Sequence, residues 1–231
     1  MPRHSKTFPA ESRRYRTARN RLLTAEIDLR RHVERVARMR RKLPRGGPIA
    51  QDYAFEESAP GPAGGVREVK LSQLFHAKLD TLFLYSYMFG PQMKQPCPMC
   101  TSFIDALEGT IAHLSRRAAL AIVAKSPIGR IAEFAQTRGW RRLRLLSSAS
   151  NTYNLDYHGE TPDGGQLPML NIFVRRKGKI YHHYATELQF LPPDKGQNER
   201  HLDMMWPLWN LLDLTSEGRG ANWFPSLTYP S

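Results

Sequence analysis

Between residues 15 and 43 the side chains Tyr15, Ala18, Leu22, Ala25, Leu29, His32, Val36, Met39 and Leu43 recur at alternating steps of three and four. That is the a/d seam of a heptad repeat, and it predicts one long helix with a mostly apolar stripe. Pro9 before it and Pro44 after it bound the helix, and Arg45-Gly46-Gly47-Pro48 begins a linker. The stripe has two possible seats, the protein's own domain or the same helix of a second copy; four heptads are about the minimum for a dimeric coiled coil.

Beyond the linker the period shortens. Residues 52–57 and 66–71 read as short strands around the turn formers of 58–65, and 72–75 as a single helical turn, decorating the entrance to a domain. The pattern then alternates: strand 81–89, helix 98–117, strand 120–125, helix 127–138, strand 142–147. Strands alternating with helices imply right-handed crossovers and a parallel sheet covered on both faces. Segments 167–174 and 179–185 flank a basic turn and predict a hairpin that adds an antiparallel edge. A last helix near 200–213, carrying Trp206, Pro207 and Trp209, would cover one face, and the tail from Gly218 reads as loop. The expected class is α/β with a mixed central sheet, divided into a basic helical arm, 1–45, and a domain, 46–231.

Composition agrees with a packed core: 41% of the 231 residues are hydrophobic and 24% charged, with 4 Trp, 9 Tyr and 10 Phe. The longest strongly apolar stretches, 81–89 and 118–124, fall far short of the roughly 20 residues that span a bilayer. The N-terminus is basic with no apolar run behind it, unlike a secretory signal, and a cytoplasmic location is expected. Charge is unevenly spread. Of the net +13, residues 1–45 carry 15 Lys and Arg against 4 Asp and Glu. Such a run is usually a solvated helix face, and no aromatic side chains interleave it as a stacking platform for nucleic acid would require. Neither nucleic acid nor a membrane is an expected partner.

The candidate chemistry sits at Cys97 and Cys100, the two cysteines of the chain. They follow a strand pattern and open a helix, with Pro98 where a missing N–H costs nothing. A helix N-terminus offers unpaired N–H groups and partial positive charge, which favour a thiolate, and Lys94 stands nearby. Attack by the outer Cys97 on a disulfide, followed by resolution by Cys100, would complete a two-electron exchange without a bound cofactor. A CxxC is also half of a zinc site, for which His182 and His183 would have to supply further ligands; neighbours on a strand point to opposite faces, so at most one could join. The other reading of both histidines is plain edge-strand residues.

Strand, Cys97-Pro98-Met99-Cys100 at a helix start, and Leu167-Pro168 before a hairpin together resemble thioredoxin-fold proteins. The resemblance implies a three-layer thioredoxin-like sandwich in which Pro168 is cis, its loop faces the CxxC, and Leu167 offers backbone hydrogen bonds to substrate. From the residues alone, Pro168 is equally a trans strand-start proline. More narrowly, Arg41-Lys42-Leu43-Pro44, Asp52-Tyr53-Ala54-Phe55-Glu56, Tyr87-Met88-Phe89-Gly90-Pro91, the CPMC motif and Asn210-Leu211-Leu212-Asp213-Leu214-Thr215 resemble the bacterial family known as domain of unknown function 899, described as thioredoxin-like predicted dithiol-disulfide oxidoreductases.

The chain departs from thioredoxin itself. No Trp precedes Cys97, residues 90–96 are inserted between strand and motif, and strand 81–89 has no carboxylate to take the resolving thiol's proton. A thioredoxin-like peroxidase would want Thr or Ser three residues before its attacking cysteine, where Lys94 stands. The expectation is thus a thiol-disulfide oxidoreductase using Cys97 and Cys100, with Leu167 and Pro168 lining the substrate, a disulfide-bearing protein or small thiol as partner, and neither cofactor nor metal. The rival from another class is a non-catalytic scaffold that uses the N-terminal helix and keeps a structural or vestigial dithiol.

Overall fold

The computed structural model describes residues 6–58, 65–76, 78–197, 204–220 and 222–229. Its contacts divide the chain into Met1–Pro44 and Arg45–Ser231. The first unit is helix α1, Arg13–Arg41. The Ser12 hydroxyl caps its start by accepting the Tyr15 N–H at 3.1 Å. Arg38, Arg40 and Arg41 occupy its last turn, where the helix dipole favours cations. Tyr15, Leu22, Leu29 and Met39 of the expected stripe are exposed along it.

The second unit is built on a seven-stranded sheet. Its strands are β1 (Ala54–Ser58), β2 (Val66–Lys70), β3 (Thr81–Ser86), β4 (Ala119–Ala124), β5 (Arg144–Ser147), β6 (Met169–Arg176) and β7 (Lys179–Ala185). They lie in the order β2-β1-β5-β4-β3-β6-β7. The central β3, β4 and β5 are parallel, and β6 joins β3 antiparallel, pairing Ser86 with Met169. The β6–β7 hairpin supplies the expected antiparallel edge.

The β1–β2 hairpin differs from expectation: it does not decorate an entrance but extends the sheet, pairing Glu56 with Ser147 of β5. The reason is an ion pair between the hairpin and β5. Glu57 is buried, and its carboxylate accepts from Arg144 of β5 at 2.6 Å and from Arg67 of β2 at 2.7 Å. A buried carboxylate is tolerable only with such partners.

All six residues of β4 are buried, as a strand covered on both faces requires. Leu120, Ile122 and Ala124 face one cluster, and Ala119, Ala121 and Val123 the other. The first cluster receives α2 (Pro98–Leu114), α3 (Ile128–Arg138) and α5 (Pro207–Leu212). Because β3, β4 and β5 advance in one direction, two crossovers of the same hand leave α2 and α3 on the same face. The opposite face is closed by a 3-10 turn, Leu71–Leu74, by the short α4, Tyr153–Asp156, and by the rings of Tyr53, Phe55 and Phe173. A mixed α/β sheet sandwiched in this way is the thioredoxin-like class expected from the sequence.

Helix punctuation follows the sequence. Gly139, in the left-handed region at φ 75°, ends α3. Asp105 of α2 accepts from Trp140 Nε1 at 2.8 Å and from Arg138, tying the two helices together. The last helix is six residues long, shorter than expected, and residues 200–203 of the expected span lie outside the described residues.

Candidate active site

β3 ends at Ser86, yet the chain runs on in register: the Tyr87 N–H donates to Val123 O at 2.8 Å. The inserted residues 90–96 then form a closed loop, because the Cys97 N–H returns to Met88 O at 3.0 Å. An insertion that would otherwise detach the motif from its strand is thereby neutralised. Arg130 of α3 holds the loop shut. Its guanidinium lies 4.5 Å over the Phe89 ring, donates to Lys94 O at 2.9 Å, and also reaches the carbonyls of Gly90, Pro91 and Met93. Ser126 Oγ adds a bond to Gly90 O at 3.0 Å.

Cys97 is the N-cap of α2, with extended backbone at φ −61° and ψ 122°, and Pro98 fills the first helical position. The Cys97 sulfur accepts the Cys100 N–H at 3.4 Å. Thr101 Oγ1 donates to Cys97 O at 2.9 Å, which leaves the buried Tyr87 hydroxyl, 2.6 Å away, to donate to Thr101. Cys97 is half-buried, Cys100 is buried, and both are free thiols.

The two sulfurs are held in different states. A hydrogen bond from the Cys100 thiol, opposed by burial and assisted by the N–H groups of Cys100 and Met99, brings Cys97 down to about 6. Cys100 moves the other way, pushed up by burial first and then by the Cys97 sulfur beside it. One thiol is poised to ionise and the other to stay protonated.

The structure thus brings Cys97 and Cys100 together. Leu167 and Pro168, both half-buried, lie immediately before β6. Since β6 runs antiparallel to β3, that loop stands at the same end of the sheet from which the motif departs. The Leu167 N–H is already committed to Gly159 O at 3.0 Å, so the backbone group it retains for a ligand is its carbonyl. No peptide bond among the described residues is cis, so Pro168 follows a trans bond, contrary to what the resemblance implied. It precedes the first strand residue, where a proline removes no ladder hydrogen bond and needs no special geometry.

His182 is not brought to the cysteines. It sits on β7 against Tyr157 and Phe173, and its Nε2 meets Asn171 Oδ1 at 2.9 Å. Among the described residues no cluster of three or more His, Cys, Asp or Glu is arranged to hold a metal ion. Lys94 enters the site through its carbonyl, and its ammonium is not among the influences on Cys97. Sequence reasoning missed Arg130 and Thr101. Thr101 was findable, because the residue four after an N-cap can return a hydroxyl to the cap carbonyl. Arg130 gave no local signal.

Fold and site define a thioredoxin-like α/β protein with a dithiol at a helix start. The chain belongs to the family described as "Bacterial protein of unknown function (DUF899)", whose model matches residues 5–229. No curated protein matches it. Among solved structures it is similar to peroxiredoxin Q of Xanthomonas campestris, with a TM-score of 0.48 and 13% identity over 71% of this chain and 94% of that one. It is also similar to AhpC of Enterococcus faecalis, with a TM-score of 0.47 and 10% identity over 73% and 93% of the two chains. The reduced 2-Cys peroxiredoxin of Plasmodium vivax aligns at a TM-score of 0.46 and 16% identity over 62% and 72%. No helix among the described residues is long and apolar enough to cross a membrane.

Proposed function

We propose that the protein is a dithiol-disulfide oxidoreductase in which Cys97 is the nucleophile and Cys100 the resolving thiol. The observation that carries this reading is the asymmetry of the pair: a half-exposed Cys97 held low at the helix start, and a buried Cys100 held high one turn inside. Near neutral pH the Cys97 thiolate attacks one sulfur of a disulfide, forming a Cys97–substrate disulfide and releasing the other sulfur as a thiolate. Cys100 then loses its proton to solvent and attacks the Cys97 sulfur. The substrate's second thiolate leaves, and the pair is left as a Cys97–Cys100 disulfide. Two electrons have passed to the substrate, and an external dithiol or thiol restores the reduced pair.

The partner class is a disulfide-bearing protein or a small disulfide, engaged beside the Leu167–Pro168 loop. The exposed stripe of α1 is the surface through which we propose that two copies associate. Sedimentation of the full chain as a dimer, and of a Leu22→Asp, Leu29→Asp variant as a monomer, tests that assembly; monomeric native protein refutes it.

The function is tested by trapping. A Cys100→Ser variant incubated with glutathione disulfide should accumulate a stable adduct of one glutathione on Cys97, whereas the native protein should pass through that adduct to its internal disulfide. Absence of adduct in the variant would remove Cys97 as the nucleophile.

A further inference from the structure

Tyr85 is completely buried at the centre of the sheet, between Ile122 of β4 and Leu170 of β6. Its ring packs edge-on against Phe103, with centroids 5.0 Å apart. Phe103 stands one turn after Cys100 on α2, so the Tyr85 ring lies beneath the first turn of the dithiol helix, in the same core cluster as Cys100. Its hydroxyl has no hydrogen-bond partner. Buried polar groups are normally paired, and an exception beside a reactive thiol calls for a reason. Of the polar groups around it the Cys100 thiol bears most on the hydroxyl, and the hydroxyl in turn favours the Cys100 thiolate.

We propose that the Tyr85 hydroxyl donates a hydrogen bond to the Cys100 thiolate, formed when Cys97 is occupied in a mixed disulfide, and thereby accelerates the resolving step. The inference rests on the oxidoreductase reading and adds a positioning residue to it. In the reduced pair Cys100 is neutral and gives its proton to a hydrogen bond with Cys97, so it needs no donor of its own. Once the Cys97 sulfur is bonded to substrate, that acceptor is lost, and Cys100 must ionise within a buried apolar cluster. The proton leaves to solvent, Tyr85 keeps its own, and its hydroxyl joins the Met88 backbone N–H in meeting the charge on Cys100. The titratable groups around the Cys100 sulfur are Cys97 on its own helix and Tyr85 and Tyr87 on the β3 side; Arg138 of α3 acts on Tyr87, whose hydroxyl is committed to Thr101.

The reduced protein is mixed with the aromatic disulfide dithiobis(nitrobenzoate), and release of coloured thiolate is followed in two phases across pH. The first equivalent reports attack by Cys97, and the second reports displacement by Cys100. Tyr85→Phe keeps the ring and its contact with Phe103. The expected result is an unchanged first phase and a second phase slowed about tenfold or more, the size of one hydrogen bond to a charged group, with its pH midpoint displaced upward. An unchanged second phase overturns the role of Tyr85. Equal slowing of both phases with no pH displacement marks a packing effect and overturns it as well. Native protein that releases no second equivalent overturns the oxidoreductase reading itself, a failure visible before the variant is made.

Discussion

Replacing Cys100 with alanine removes the largest influence that lowers Cys97 and leaves the backbone in place. With Cys97 at about 6, roughly nine in ten molecules carry the thiolate at pH 7. The N–H groups of residues 100 and 99 remain, so the Cys97 midpoint should rise without reaching the ordinary cysteine value of about 8.5. A midpoint between about 7 and 8 leaves roughly half to one tenth of the molecules ionised at pH 7. Alkylation follows the thiolate, so the rate with iodoacetamide at pH 7, taken as a fraction of its own high-pH plateau, should fall about two- to tenfold. The assay is the alkylation rate of Cys97, read by mass spectrometry from acidic to alkaline pH on reduced native and Cys100→Ala protein. The variant's plateau at high pH should match or exceed the native one, because the more basic thiolate is also the more nucleophilic. A midpoint unchanged by the substitution would exclude the Cys100 thiol as the group that lowers Cys97, since the helix start alone would then be sufficient to hold the thiolate.

Glu57 gives a second handle. Burial raises its carboxyl, but hydrogen bonds from Arg144 and Arg67 overcome this and hold it below its ordinary value. A folded-state value depressed below the unfolded one contributes stability that is present above the ordinary carboxylate range and is lost as pH falls through the folded value. Glu57→Gln should therefore cost about 1–3 kcal/mol in urea unfolding at pH 7, with the gap to native protein narrowing in acid. Arg130→Lys replaces a planar fork by a point charge that cannot serve four carbonyls. It should open loop 90–96, seen as faster tryptic cleavage after Lys94, and cost about 1–2 kcal/mol of stability; an unchanged cleavage rate would mean the loop holds its shape without the guanidinium.

What was legible in the sequence is what local pattern encodes. The apolar run of β4, the heptad stripe of α1 and the Cys97-Pro98 helix start each announce their structure within a few residues, and each stands within two residues of where it was expected. The placement of the β1–β2 hairpin was not legible, because it depends on Glu57 meeting Arg144 across 87 positions of sequence. The grouping of both crossover helices on one face follows from strand order, which periodicity does not report. Arg130 reaches its carbonyls across 36 to 40 positions, and nothing at Pro127 or Gly129 foretells it. The peptide geometry at Pro168 likewise could not be settled locally, since Gly164-Gly165-Gln166 suits either isomer. The orphan hydroxyl of Tyr85 is a property of packing: in the sequence it is one aromatic residue among several in a strand.

A reversible two-electron couple between Cys97 and Cys100 can be measured directly. Equilibrating the native protein in glutathione buffers of graded ratio, quenching with acid and counting free thiols by mass gives the fraction oxidised directly. The expected result is one cooperative transition between the dithiol and the internal disulfide, fully reversed by adding reductant, with no other species populated at the midpoint. A pair that stays reduced throughout, or that accumulates only separate glutathione adducts on the two cysteines, would contradict it.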